Sequence, residues 1–144
     1  MSGYPQAMQE LSRTEALLRL GSVSFGRVVF THRALPAIRP VNHITDNGRV
    51  IFRTHEGTAI LGAAGAGRAT VLAYQADNID PVTRAGWNVV VTGLARIVDD
   101  PREAARYREA IRSWPDREME YVIAIDPQIV AGFELHPDHL PPDA

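Results

Sequence analysis

An Asn-Gly dipeptide at positions 47–48, set between two runs of apolar and β-branched residues, constrains this 144-residue chain more than any other feature. Asn and Gly tolerate the positive φ that both central positions of a two-residue turn require. The runs at 35–44 and 50–54 are therefore expected to fold back on each other as an antiparallel hairpin. Pro36 and Pro40 interrupt the first run. A proline has no N–H to give to a ladder, which puts that strand at an edge or beside a bulge. The second run ends in Arg53-Thr54, and a short loop then leads to Thr58. A guanidinium and two hydroxyls at one strand end make a candidate phosphate clamp. The plainer alternative is a surface arginine paired with Glu56 or Asp46, and spacing alone leaves both open.

The rest of the chain reads as short elements. Ser12-Arg13-Thr14-Glu15 is a capping box, Leu17, Leu18 and Leu20 give the helix that follows an apolar side, and Gly21 stops it. A strand is expected over 23–31, a short helix over 58–64 and an apolar strand over 70–76, then a polar connection over 77–85. The longest strand spans 87–98, with Gly93 as a bulge or a point of close approach. Asp100 followed by Pro101 opens a helix running to about residue 113, and two last strands fall at 121–125 and 129–135. Six or seven short strands with two or three helices, and no regular βαβ alternation, predict a small antiparallel barrel. The fold class is mainly β with flanking helices (α+β). Residues 1–10 are expected to be a flexible arm, 11–135 one domain, and 136–144 a loose tail.

Composition removes several kinds of chemistry. The chain has no cysteine, so no disulfide, thiolate nucleophile or thiolate metal site. All of its Lys+Arg total of 15 is arginine, so no Schiff-base lysine exists and any anion must be met by Arg, hydroxyls or backbone amides. A net charge of −2 argues against nucleic acid as a partner. No apolar run approaches the ~20 residues of a membrane span, and the first ten residues lack a signal-peptide layout, so a cytoplasmic protein is expected. There is no G-x-S-x-G and no H-E-x-x-H, and the Gly-rich stretch 62–67 lacks the ending of a P-loop and reads as a flexible helix end. No metal site is expected from the five histidines. His43 and His55 flank the hairpin as proton donors or as solvated or packed side chains.

Two further segments carry binding potential. Arg39-Pro40-Val41-Asn42 holds an extended backbone that can line a flat ring, or is simply an irregular edge. Trp87 and Asn88 open the long strand. The tryptophan can cap an aromatic ligand or fill the core. Alternation sends the two side chains to opposite faces, so both meet one ligand only if the strand is irregular or two subunits share the site.

Taken in order, the segments 11–30, 35–44, 50–61, 71–80, 86–100 and 121–135 resemble the pyridoxamine 5′-phosphate oxidase-like, FMN-binding split β-barrel family, in its small actinobacterial flavin-binding branch. The resemblance implies a six-stranded antiparallel split barrel that works as a homodimer, with FMN in the groove between subunits. By position, Arg39, Pro40, Val41 and Asn42 would line the ring and ribityl chain. Arg53, Thr54 and Thr58 would hold the phosphate, and Trp87 and Asn88 would meet the flavin from the partner subunit. Relatives often carry a lysine directly after the Ser/Thr of this loop, where this chain has Ala59. The implied function is a flavin-dependent oxidoreductase acting on a small-molecule substrate or reductant, with no side chain marked as catalytic. Two alternatives stay open: a reductase using a deazaflavin coenzyme of the F-420 type, and a non-catalytic flavin- or haem-binding protein, with His43 as the haem ligand to test.

Overall fold

A computed structural model describes residues 8–62, 69–112 and 121–136. In chain order the elements are β1 (Met8–Glu10), α1 (Arg13–Gly21), β2 (Phe25–His32), β3 (Leu35–Asp46), β4 (Arg49–Thr54), α2 (Gly57–Leu61), β5 (Thr70–Ile79), β6 (Gly86–Ile97), α3 (Pro101–Ala110) and β7 (Tyr121–Leu135). Six of the strands run β7-β4-β3-β2-β5-β6, and β6 pairs again with β7, which closes an antiparallel barrel. Closure removes the open edges that a small sheet would otherwise expose. The expected fold class is the one observed.

Local signals account for the turns and helix ends. Asn47 (φ 52°) and Gly48 (φ 76°) make the β3–β4 turn, with Asp46 opposite Arg49. The Ser12 hydroxyl accepts from the Glu15 N–H (3.2 Å) while the Glu15 carboxylate accepts from the Ser12 N–H (3.3 Å), completing the capping box. Hydrogen bonding to the carboxylate from the Ser12 side chain and from the Ser12 backbone N–H holds the Glu15 carboxyl below its ordinary range. Asp100 caps α3 through the Glu103 N–H (3.0 Å), with Pro101 in the first turn. Gly93 is the close-approach point: a Cβ there would lie 2.0 Å from the Asp126 carbonyl oxygen, at the register shift where β6 faces Pro127.

Several boundaries differ from expectation. β7 is one strand of 15 residues rather than two, because Pro127 sits at that bulge, where the ladder is already irregular. Residues 8–10 lie within the expected flexible arm yet pair with Leu135, Glu134 and Phe133. Leu18 is 70% exposed; Ala16 and Leu20, four apart, form the buried face of α1 instead. β5 continues to Ile79, through part of the expected connection. The expected end of the short helix at 63–64, most of the Gly-rich stretch, residue 113, and the tail from 137, His139 included, lie outside the described residues.

The barrel is filled by Val28, Phe52, Leu72, Tyr74, Val89, Val91, Ile123 and Ile125, and Leu20 of α1 and Ile60 of α2 belong to the same buried cluster. Each such aliphatic side chain contributes about 1.5–3 kcal/mol when fully buried. A second cluster lies outside the barrel wall. Tyr107 and Ile111 at the end of α3 pack on Ile51, Val122 and Ala124 of β4 and β7. That contact places the C-terminal end of α3 over the point where β3 and β4 part.

Candidate functional site

β3 pairs with β2 along Leu35–Asn42 but meets β4 only from His43 onward. Over 35–42 its second edge therefore has no strand partner among the described residues. This is the split in the barrel, and it is where both prolines fall: Pro36 opposite Thr31 and Pro40 opposite Arg27. The His43–Phe52 pair sets Asn42 and Arg53 beside one another where the strands separate.

Alternation then sorts the side chains between two faces. Arg53 goes to the outer face, under α3. Its Nη1 donates to the carbonyl oxygens of Arg108 (2.8 Å) and Ile111 (2.7 Å). Asn42 lies on the same side, and its Nδ2 donates to the Arg112 carbonyl (2.6 Å). A cleft of about 450 Å³ opens beside them, lined by Ser24, Asn42, His43, Ile44, Ala110, Ile111 and Arg112. That volume lies within the ordinary range for small-molecule sites.

The other sequence-flagged residues are placed differently. Arg39 is on the opposite side of β3, where it pairs with Glu56 (Nε to Oε2, 3.1 Å) and lies over the Phe30 ring. Glu56 and Asp46 are thus both committed, but not to Arg53: Asp46 takes the Tyr107 hydroxyl (2.5 Å) and lies 3.5 Å from Arg106. Val41 is buried, and Pro40 is exposed next to Asn42. Thr54 points inward, and its hydroxyl accepts the Glu56 N–H (3.0 Å), tying the turn into α2. Thr58 is exposed on α2. The structure so brings Arg53 to Asn42 but sends Thr54 the other way.

Trp87 faces the barrel interior and is 7% exposed, so the core role applies to it. Asn88 faces outward, where its Oδ1 accepts from Gln75 Nε2 (2.7 Å), and Gln75 also binds Asp77 and Arg27. Asn88 is on β6, separated from β3 by β2 and β5. Three strand spacings put it roughly 14 Å away, too far to touch a group held at Asn42 in the same chain.

His43 is 3% exposed, with both ring nitrogens engaged. Nε2 lies 2.8 Å from the Leu20 carbonyl, and Nδ1 lies 2.5 Å from the Tyr74 hydroxyl. A carbonyl only accepts, so Nε2 carries the proton and Nδ1 accepts from Tyr74. Burial lowers the His43 pKa below its ordinary value and raises that of Tyr74. The pair is a neutral internal strut behind the cleft, with no nitrogen turned toward a metal or haem.

Sequence reasoning missed Arg112 and the lock beneath α3, where Arg49 Nη2 donates to Glu103 (3.1 Å) and Tyr107 (2.9 Å). The i,i+4 spacing of Glu103 and Tyr107 marked a common helix face, but not its partner.

Residues 12–135 match the family model described as pyridoxamine 5′-phosphate oxidase. An uncharacterized protein of Mycobacterium tuberculosis is 50% identical over 137 residues, 92% of this chain and 89% of the relative. The crystal structure of a candidate pyridoxamine 5′-phosphate oxidase of Corynebacterium glutamicum superposes with a TM-score of 0.75 at 30% identity, covering 92% of this chain and 96% of that one. An FAD binding protein of Mycobacterium smegmatis gives a TM-score of 0.65 at 30% identity, covering 88% and 97%.

Proposed function

This chain belongs to the pyridoxamine 5′-phosphate oxidase family, and from that premise we propose that it is a flavin-dependent oxidoreductase holding FMN in a groove between two copies of itself. The observation that carries this reading is the meeting of Asn42 and Arg53 beside the cleft, at the open edge of β3. The donor set fits the group. The edge over 35–42, without a strand partner among the described residues, offers backbone groups to the rim of a flat heteroaromatic ring. Arg53 and Asn42 supply a cation and an amide at the end of that edge, where the anionic tail would lie. When bound, the flavin supplies the redox chemistry, and the chain binds and orients it.

Strand register supports a second copy. Ile38, Val29, Ala73, Thr92 and Ile129 lie opposite one another in turn across five strands, a single row on the outer face. Ile38 is 57% and Ile129 65% exposed, and Val71 nearby on the same face is 63% exposed. No described helix covers this row. Self-association through this row would bury it, and a second copy would be the source of an Asn88 for a flavin at Asn42, since one chain does not span that distance.

Titration of purified protein with FMN, FAD and riboflavin, with mass measured by light scattering, tests the reading. A dimer binding FMN at micromolar concentration is expected. A monomer that binds neither FMN nor FAD overturns it. Similarity to the Mycobacterium smegmatis FAD binding protein favours a second reading, with FAD in the same groove; tighter binding of FAD than of FMN would select it.

A further inference from the structure

We propose that the open edge of β3 is built to refuse a β-strand, so that the split stays free for a small ligand and does not pair edge to edge with another chain; Pro36, Arg39 and Pro40 enforce this. Two turns fix the direction of the backbone groups on this edge. β3 lies between the two-residue turns Arg33-Ala34 and Asn47-Gly48, and all four of these residues have positive φ. In such a turn the flanking residues exchange both backbone hydrogen bonds. Leu35 therefore turns its N–H and carbonyl toward His32 of β2, and Asp46 turns its own toward Arg49 of β4. Direction alternates along a strand. Odd-numbered residues of β3 thus face β2, and even-numbered ones face β4 or, before residue 43, the open side. Two contacts agree: the His43 N–H donates to the Ser24 carbonyl (2.9 Å), and the Ile38 carbonyl accepts from Arg39 Nη1 (2.9 Å) rather than facing β2.

Both prolines fall on even positions. The edge at 36, 38, 40 and 42 therefore offers N–H donors only at Ile38 and Asn42, roughly 13 Å apart, whereas an added strand needs one about every 7 Å. The Ile38 carbonyl is also taken by Arg39, which Glu56 holds at 3.1 Å. A strand laid along this edge would leave its carbonyls opposite Pro36 and Pro40 without donors and would have to displace Arg39. A small molecule needs no regular ladder and can use the groups that remain. The guard answers a real hazard: Leu35 is 67% and Ile38 57% exposed, and an apolar edge with free donors is a template for aggregation.

The full chain and its Pro36→Thr/Pro40→Thr variant, with no flavin added, test this separately from the flavin reading. Light scattering of the variant should show particles of at least twice the wild-type mass, their fraction rising with concentration, while the wild-type mass holds. In wild type, amide exchange at Ile38 should be at least about a hundredfold faster than at Arg39 and Val41, whose N–H groups face β2. That measurement needs no variant, so it decides the matter even if the substitutions prevent folding. The proposal is overturned if the folded variant keeps the wild-type mass at every concentration, or if Ile38 exchanges as slowly as Arg39.

Discussion

Replacing Arg53 by alanine should destabilise the protein with no flavin present. The guanidinium joins barrel to outer helix through two hydrogen bonds, to the Arg108 and Ile111 carbonyls. A hydrogen bond involving a charged partner contributes about 1.5–3 kcal/mol when well buried. Arg53 is half-buried, so solvent takes up part of that loss, and Asn42 still holds the Arg112 carbonyl. Tyr107 and Ile111 also remain packed on Ile51 and Val122. The net cost should be about 2 kcal/mol, which for a chain of this length lowers Tm by roughly 4–8 °C. Urea unfolding of flavin-free wild type and Arg53→Ala gives the difference directly, and hydrogen exchange should show faster opening confined to the last turn of α3. Arg53→Lys should recover about half, since one ammonium has no planar fork to span two carbonyls. A Tm change under about 1 °C, with exchange in α3 unaltered, would refute the reasoning, because Arg53 would then not be holding the helix.

Two further outcomes concern the buried histidine behind the cleft and the β2–β3 turn. Burial lowers the His43 pKa below the 6.5 of an exposed histidine, so between those values the unfolded chain binds the extra proton. The stability from neutral His43 is whole above pH 6.5 and is lost as pH falls from there toward the lowered pKa, at up to about 1.4 kcal/mol per pH unit; denaturation midpoints that do not move between pH 7.5 and 5.5 would contradict this. The β2–β3 turn places Arg33 (φ 52°) and Ala34 (φ 64°) in the left-handed region without a glycine. Replacing both by Asn-Gly should raise stability by about 1–2 kcal/mol, and a lower Tm in that variant would show that the two side chains make contacts worth more than the strain.

What could be read from the sequence was local. The Asn47-Gly48 turn, the Ser12–Glu15 capping box, the Asp100-Pro101 helix start and the close approach at Gly93 each depend on a few neighbouring residues, and each is present. The closed barrel was expected and is observed, but the extents of β1 and β7 depend on distant pairing, and there the expected boundaries differ. Nothing local in 126–128 says that Pro127 will lie against Gly93 and let β7 run on, or that residues 8–10 will find 133–135. The site shows the same division. Arg39, Asn42 and Arg53 were legible as donors near a hairpin. Their allocation was not, because Glu56 draws Arg39 to one face while the carbonyls of α3 draw Arg53 to the other. Arg112 carried no signal at all, since its relevance comes only from where Tyr107 and Ile111 set the end of the helix.

The long β7 strand has a consequence for how the chain is made. It pairs with β4 through residues 121–125 and with β6 through 123–135, so it is the strand that joins the two ends of the sheet. A ribosome delivers it after every other described strand. Until it arrives, β4 and β6 each present a bare edge, and the interior lacks Ile123 and Ile125. The nascent chain therefore has no route to the closed barrel by stages from its N-terminus. It must hold two sticky edges apart during synthesis, and folding completes in one late zippering event that depends on contacts far apart in sequence.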